Sequence, residues 1–141
     1  MDAPGINGIV ETAVYVDDFA AAHDFYGELL GLRRVVEGER MHGYDVGPNQ
    51  MLLVFRRGVC REDVESPYGM VPGHSTDGPS HFAFAISRSA LIEWREYLEE
   101  KKVALSSEVR WPQGGVSLFF HDPFGNVVEL ATPGLWPNYQ D

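Results

Sequence analysis

Two stretches of this chain repeat each other about 70 residues apart, and that repetition limits the fold more than any other feature. Glu11 opens a strand within IVETAVYV, followed by an aspartate pair and an amphipathic segment; His81 opens HFAFAI, followed by serines and a second amphipathic segment. Further on, PNQMLLVF in the first half resembles FGNVVELA in the second, which sets Leu53 in the place of Glu129. Each half therefore reads as strand, helix and three strands. A sheet with helices on one side leaves its other face bare, so two such units, or two chains, must cooperate. The expected fold is α+β: two tandem βαβββ modules whose curved, mostly antiparallel sheets surround a cavity, with helices outside. The bounds are about 8–56 and 81–133, joined by a crossover loop at about 57–80 and ending in a tail at 134–141, all within a single domain.

The local signals follow from side-chain periodicity. In Ile9–Val16, Thr12, Val14 and Val16 point one way while Glu11, Ala13 and Tyr15 point the other. Asp17 or Asp18 can cap a helix whose Ala22, Phe25, Tyr26, Leu29 and Leu30 form an apolar stripe, with Gly31 as its stop. Strands are expected near Arg33–Val36, Gly43–Val46 and Met51–Phe55, with a Gly47-Pro48-Asn49 turn between the last two. Arg57–Ser80 has three prolines, four glycines and no periodicity, which marks a long loop. In the second half, Ser87 or Ser89 caps a helix packed through Leu91, Trp94 and Leu98, and strands are expected near Val103–Leu105 and Val109–Trp111. The last hairpin, VSLFFHDPFGNVVEL (Val116–Leu130), reverses through Pro123 and Gly125. Leu135, Trp136 and Tyr139 in the tail are expected to pack on the body or on a partner chain.

Composition narrows the function classes. A net charge of −10 argues against nucleic acid and anionic membranes, which need clustered lysine and arginine. No apolar run is long enough to span a bilayer and no leader pattern precedes the first strand, so the expected location is cytoplasmic. The lone Cys60 excludes an internal disulfide and a multi-cysteine zinc site.

Glu11, His81 and Glu129 fall on the strand faces opposite the residues that pack on helices. Each has a plain structural alternative: a solvated strand end, a core histidine bonded to backbone, and an edge-strand surface residue. If the faces meet, two carboxylates and an imidazole converge, and a divalent cation relieves their repulsion. Three protein ligands would leave positions open for water or substrate. Tyr15, Phe55, His74 and Trp111 are candidate pocket residues, whereas His121 reads as structural or exposed.

The segments ETAVYVDDFAAAHDFYGELLGL, HFAFAI and above all HDPFGNVVEL resemble the recurrent blocks of the vicinal oxygen chelate superfamily. That superfamily includes glyoxalase I, extradiol dioxygenases and bleomycin-resistance proteins. The resemblance implies ligands on the first and last strands of each module, here Glu11, then His81 and Glu129. The fourth place falls at Leu53, which cannot ligate and which joins the pocket residues. This departs from glyoxalase I, where a glutamate usually stands there, and one histidine with two carboxylates departs from the dioxygenase triad. Such a set suits one divalent ion: Mn, Fe, Mg, Ni or Zn. The implied function is a metal-dependent lyase, isomerase or dioxygenase that chelates two neighbouring oxygens of a small substrate. Glu129 or Glu11 would serve as the proton-moving catalytic carboxylate, and the partner would be a second copy in a homodimer. The alternative is a non-catalytic protein that sequesters a drug, as bleomycin-resistance members do.

Overall fold

The computed structural model describes every residue from Met1 to Asp141. The chain divides into two compact units, Met1–Asp77 and Gly78–Asp141. The first unit contains β1 (Glu11–Val16), α1 (Phe19–His23) running into a π-helical turn (Asp24–Leu29), β2 (Arg33–Glu37), β3 (Met41–Asp45) and β4 (Met51–Arg56). Its sheet is ordered β1-β4-β3-β2, with β1 and β4 parallel and the other pairs antiparallel. A parallel pair needs a crossover connection, and the helical segment with β2 and β3 supplies it.

Asp18, not Asp17, caps α1: its carboxylate accepts the Ala20 and Ala21 amides at 3.2 and 3.3 Å. The helix then widens, the Leu30 amide reaching back to the Phe25 carbonyl. This wider turn rotates the later residues away from the expected stripe, so Ala22, Phe25 and Tyr26 are buried while Leu29 and Leu30 are only half-buried. Gly27 makes room inside it; a Cβ there would lie 2.4 Å from the His23 ring, which bonds the Tyr44 hydroxyl at 2.9 Å. Gly31 ends the segment at φ 73°. Val14, Val16, Leu52, Val54 and Tyr44 complete this core from the helix-facing side of the sheet.

The region expected to be a patternless loop is ordered. It contains β5 (Val64–Ser66) and β6 (Gly69–Val71), an antiparallel hairpin of three-residue strands, too short to show alternation. Ser66 closes it, accepting the Tyr68 amide and donating to the Gly69 carbonyl at 2.6 Å. Arg57 straps the loop to β1: it donates to Asp17 Oδ1, to the Thr76 carbonyl and to the Tyr15 carbonyl.

The second unit repeats the first: β7 (His81–Ala85), a 3₁₀ turn (Arg88–Ala90) into α2 (Leu91–Glu100), β8 (Ser107–Arg110), β9 (Val116–His121) and β10 (Val127–Ala131), in the order β7-β10-β9-β8. Ser87 accepts the Ala90 amide as its helix cap. One difference from expectation stands out. Val103–Leu105 is not a strand, because the Lys102 and Val103 amides bond the Glu99 and Leu98 carbonyls while Lys102 turns at φ 60°. Those amides close the helix end and are unavailable to a sheet. Val116, Leu118, Phe120, Val128 and Leu130 form the core with Leu98. In the tail, the Tyr139 hydroxyl donates to the Ala131 carbonyl at 3.0 Å, while Trp136 stays exposed.

The β9–β10 turn is a buried polar knot. Asp122 Oδ1 accepts the Phe124 and Asn126 amides at 2.9 Å, and its Oδ2 accepts the Asn126 side chain at 2.7 Å. Asn126 in turn accepts the Ser80 amide at 2.9 Å, which fixes the entry of β7 beside β10. Asp122→Ala removes three of these bonds and strands donors away from water, so it should lower the unfolding free energy by about 3 kcal/mol in a denaturant titration. At the outer strand, Arg95 of α2 donates to Glu108 at 2.5 Å and holds that carboxyl below its ordinary 4.5. A lowered folded value means the contribution is present above pH 4.5 and fades as pH falls through the folded value. Glu108→Gln should therefore destabilise by up to about 1 kcal/mol at neutral pH, with the difference from the parent closing in strong acid.

Candidate functional site

Strand register positions the functional side chains. In the second sheet His81 pairs with Val127 and Ala83 with Glu129, so His81 and Glu129 are diagonal neighbours on one face. His81 Nε2 lies 3.2 Å from Glu129 Oε1. The other ring nitrogen, Nδ1, is 3.1 Å from the Val127 carbonyl. A carbonyl only accepts, so Nδ1 carries the hydrogen and the neutral ring presents a lone pair at Nε2. Two lone-pair atoms then face each other, and only a proton or a cation between them makes the contact favourable. The backbone-anchored imidazole is the usual arrangement of a metal-ligating histidine, so this donor set fits a divalent ion. The same contact is also open to a simple proton-bridged ion pair.

Glu129 is not a surface residue; it is 5% exposed. Its second oxygen accepts the Ser117 hydroxyl at 2.5 Å, and Ser117 accepts the Trp111 indole N–H at 2.8 Å. The Phe119 ring lies 6.0 Å from that of His81 on the same face. Ser117 did not stand out in the sequence. The available signal was a lone hydroxyl in the apolar run VSLFF, an even number of residues from Phe119 and on the strand paired with Glu129. His121 is held by Ser106 at 2.9 Å, in keeping with a structural place.

The first sheet repeats this register with different chemistry. Glu11 pairs with Met51 and Ala13 with Leu53, so Glu11 matches His81 and Leu53 matches Glu129. Glu11 is exposed and borders an open groove of about 520 Å³, with Leu53, Met51, Asp45, Asn49 and Gln50 along it. The Gly47 amide and Arg33 hold the Asp45 carboxyl below its usual range. Farther along the same face, the Tyr15 hydroxyl bonds His74 Nδ1, Phe55 stacks on Tyr15 at 5.8 Å, and the His74 ring meets Phe55 edge-on at 4.6 Å. Burial, and behind it the nearby Cys60, push the Tyr15 phenol above its ordinary value. Of the five pocket residues read from the sequence, Tyr15, Phe55 and His74 thus gather in one cluster, Leu53 lines the groove, and Trp111 belongs to the Glu129 chain of bonds. Nowhere in the chain do three or more His, Cys, Asp or Glu side chains form a group able to hold a metal ion. His81 and Glu129 meet within the second unit, and Glu11 belongs to the first.

Two sheets of the same order and register, each built as βαβββ, define a duplicated-module protein with a ligand-type pair at the first and last strands of its second module. The chain belongs to the Glyoxalase/Bleomycin resistance protein/Dioxygenase superfamily, whose family model matches residues 8–130. A solved lactoylglutathione lyase from Agrobacterium tumefaciens is 33% identical with a TM-score of 0.85, over 96% of this chain and 99% of that one. The metallothiol transferase FosB of Staphylococcus epidermidis is 28% identical over 92% of this chain and 86% of its own length. An integron cassette protein from the mobile metagenome of the Halifax Harbour sewage outfall has the same fold, with a TM-score of 0.71 at 24% identity, over 90% of this chain and 99% of that one. No helix is long and apolar enough to cross a membrane.

The Val127 carbonyl predicts that the His81 ring carries its hydrogen on Nδ1. Long-range ¹H–¹⁵N correlation spectra read this directly, and a bare Nδ1 on His81 would contradict the geometry.

Proposed function

We propose that this chain is a divalent-metal-dependent enzyme acting on a small oxygenated substrate, with His81 and Glu129 as ligands and Glu11 as the third. The observation that carries the reading is the His81–Glu129 contact, in which backbone bonding of Nδ1 turns the Nε2 lone pair toward a carboxylate oxygen 3.2 Å away. The names of two relatives, a lactoylglutathione lyase and a metallothiol transferase, support a small-molecule reaction, the second with a metal. When bound, the ion would supply Lewis acidity to two neighbouring substrate oxygens. Manganese, iron, magnesium, nickel and zinc all suit such ligands.

The chain's own residues divide the remaining work. Glu129 is held at both oxygens, by His81 and Ser117, and is poorly placed to swing. Glu11 is exposed and makes no side-chain hydrogen bond or ion pair, so it is the carboxylate free to take up and return a substrate proton. Leu53 offers no donor where Glu129 has its counterpart, which keeps one side of the substrate against an apolar wall. That favours lyase or isomerase chemistry different from glyoxalase I, whose usual glutamate is missing there. The Tyr15–His74 pair is suited to hold a polar end of the substrate through His74 Nε2. Ala13, Ala83 and Ala85 are exposed on the sheet faces away from the helices, and Leu53 and Phe55 are half-exposed. Apolar surface of this kind supports a homodimer.

The test is metal analysis of the purified chain. About one divalent ion per chain is expected, as for a site of three protein ligands with open positions. His81→Ala and Glu129→Ala should lose it and Glu11→Ala should weaken it. A chain without affinity for divalent ions that instead captures a cationic aromatic drug would sink this reading in favour of the sequestering one.

A further inference from the structure

We propose that Ser117 and Trp111 are positioning residues that confine Glu129 to a single metal-binding oxygen; this rests on reading His81 and Glu129 as ligands. The direction of every bond in the chain is determined by chemistry. The Trp111 indole can only donate, so Ser117 Oγ must accept from it at 2.8 Å. The serine's one hydrogen is then left for Glu129 Oε2, at 2.5 Å. Ser117 is fully buried, and no competing water reaches its hydroxyl from outside. That bond turns Oε2 toward Ser117 and draws part of its charge there, and Oε1, facing His81 Nε2, is the oxygen set to meet a cation. A cation held this way would meet Glu129 through one oxygen, and the carboxylate would act as a one-oxygen ligand. The arrangement also makes Glu129 the fixed carboxylate and Glu11 the mobile one.

Mn²⁺ alone is the probe, with affinity and electron paramagnetic resonance spectrum read together. Ser117→Ala should weaken Mn²⁺ binding by about 10- to 100-fold, the usual range for a partner that orients a ligand. Its spectrum should change as Oε2 is released to join the ion. Ser117→Thr, which restores the hydroxyl, should return both toward the parent, which a merely structural role for the side chain does not require. Trp111→Phe keeps the hydroxyl but frees its direction, so it should weaken binding by a smaller factor; it carries the test if Ser117→Ala does not fold. Parent-like affinity and spectrum in a folded Ser117→Ala, alongside loss of binding in His81→Ala, would overturn the positioning role and leave the ligands standing. A parent chain that does not bind Mn²⁺ or any other divalent ion would overturn both.

Discussion

The parallel pairing of β7 with β10 is the constraint on which the rest of the second unit depends. A shift of one residue would turn either His81 or Glu129 to the helix-facing side and part them. The register is held from both ends. At one end the Asp122–Asn126 turn grips the Ser80 amide just ahead of β7; at the other the Ile86 amide bonds the Ala131 carbonyl. The residues of the turn motif thus decide where His81 and Glu129 sit. Their burial explains why the loop holds polar groups at all: each is satisfied by another member of the knot.

Glu129 poses the complementary problem. A carboxylate that is 5% exposed in an apolar sheet is tolerable only when its oxygens are matched. The sheet supplies Ser117 for one oxygen and His81 for the other, and Trp111 in turn satisfies the serine. The site's polarity is therefore inseparable from the packing around it. The first unit meets the same geometric position with Leu53, which needs no partner, and leaves its one acidic counterpart of His81, Glu11, at the open end of β1.

Much of this was readable from residue order because it rests on alternation and caps. Period-two patterns placed Val14, Val16, Val128 and Leu130 in the core, Ser87 and one of two aspartates at helix starts, and Leu53 in register with Glu129. What stayed hidden depends on contacts that no periodicity encodes. The π-helical turn follows from His23 lying over Gly27 and reaching Tyr44, residues distant along the chain. The β5–β6 hairpin is too short to alternate visibly, and Val103–Leu105 looked like a strand because its residue types suit one while its neighbouring amides were committed to the helix end. Ser117 was invisible as a partner of Glu129 because a single hydroxyl in an apolar run acquires meaning only from the strand beside it.

The common register of the two sheets has an evolutionary consequence. A duplicated backbone offers every site twice, so one copy can lose a donor and become a greasy wall while the other retains it, with no strand displaced. Leu53 and Glu129 are two solutions to one address, and descendants of such a gene can exchange chemistries by substitution at these addresses alone, without rebuilding the architecture that supports them.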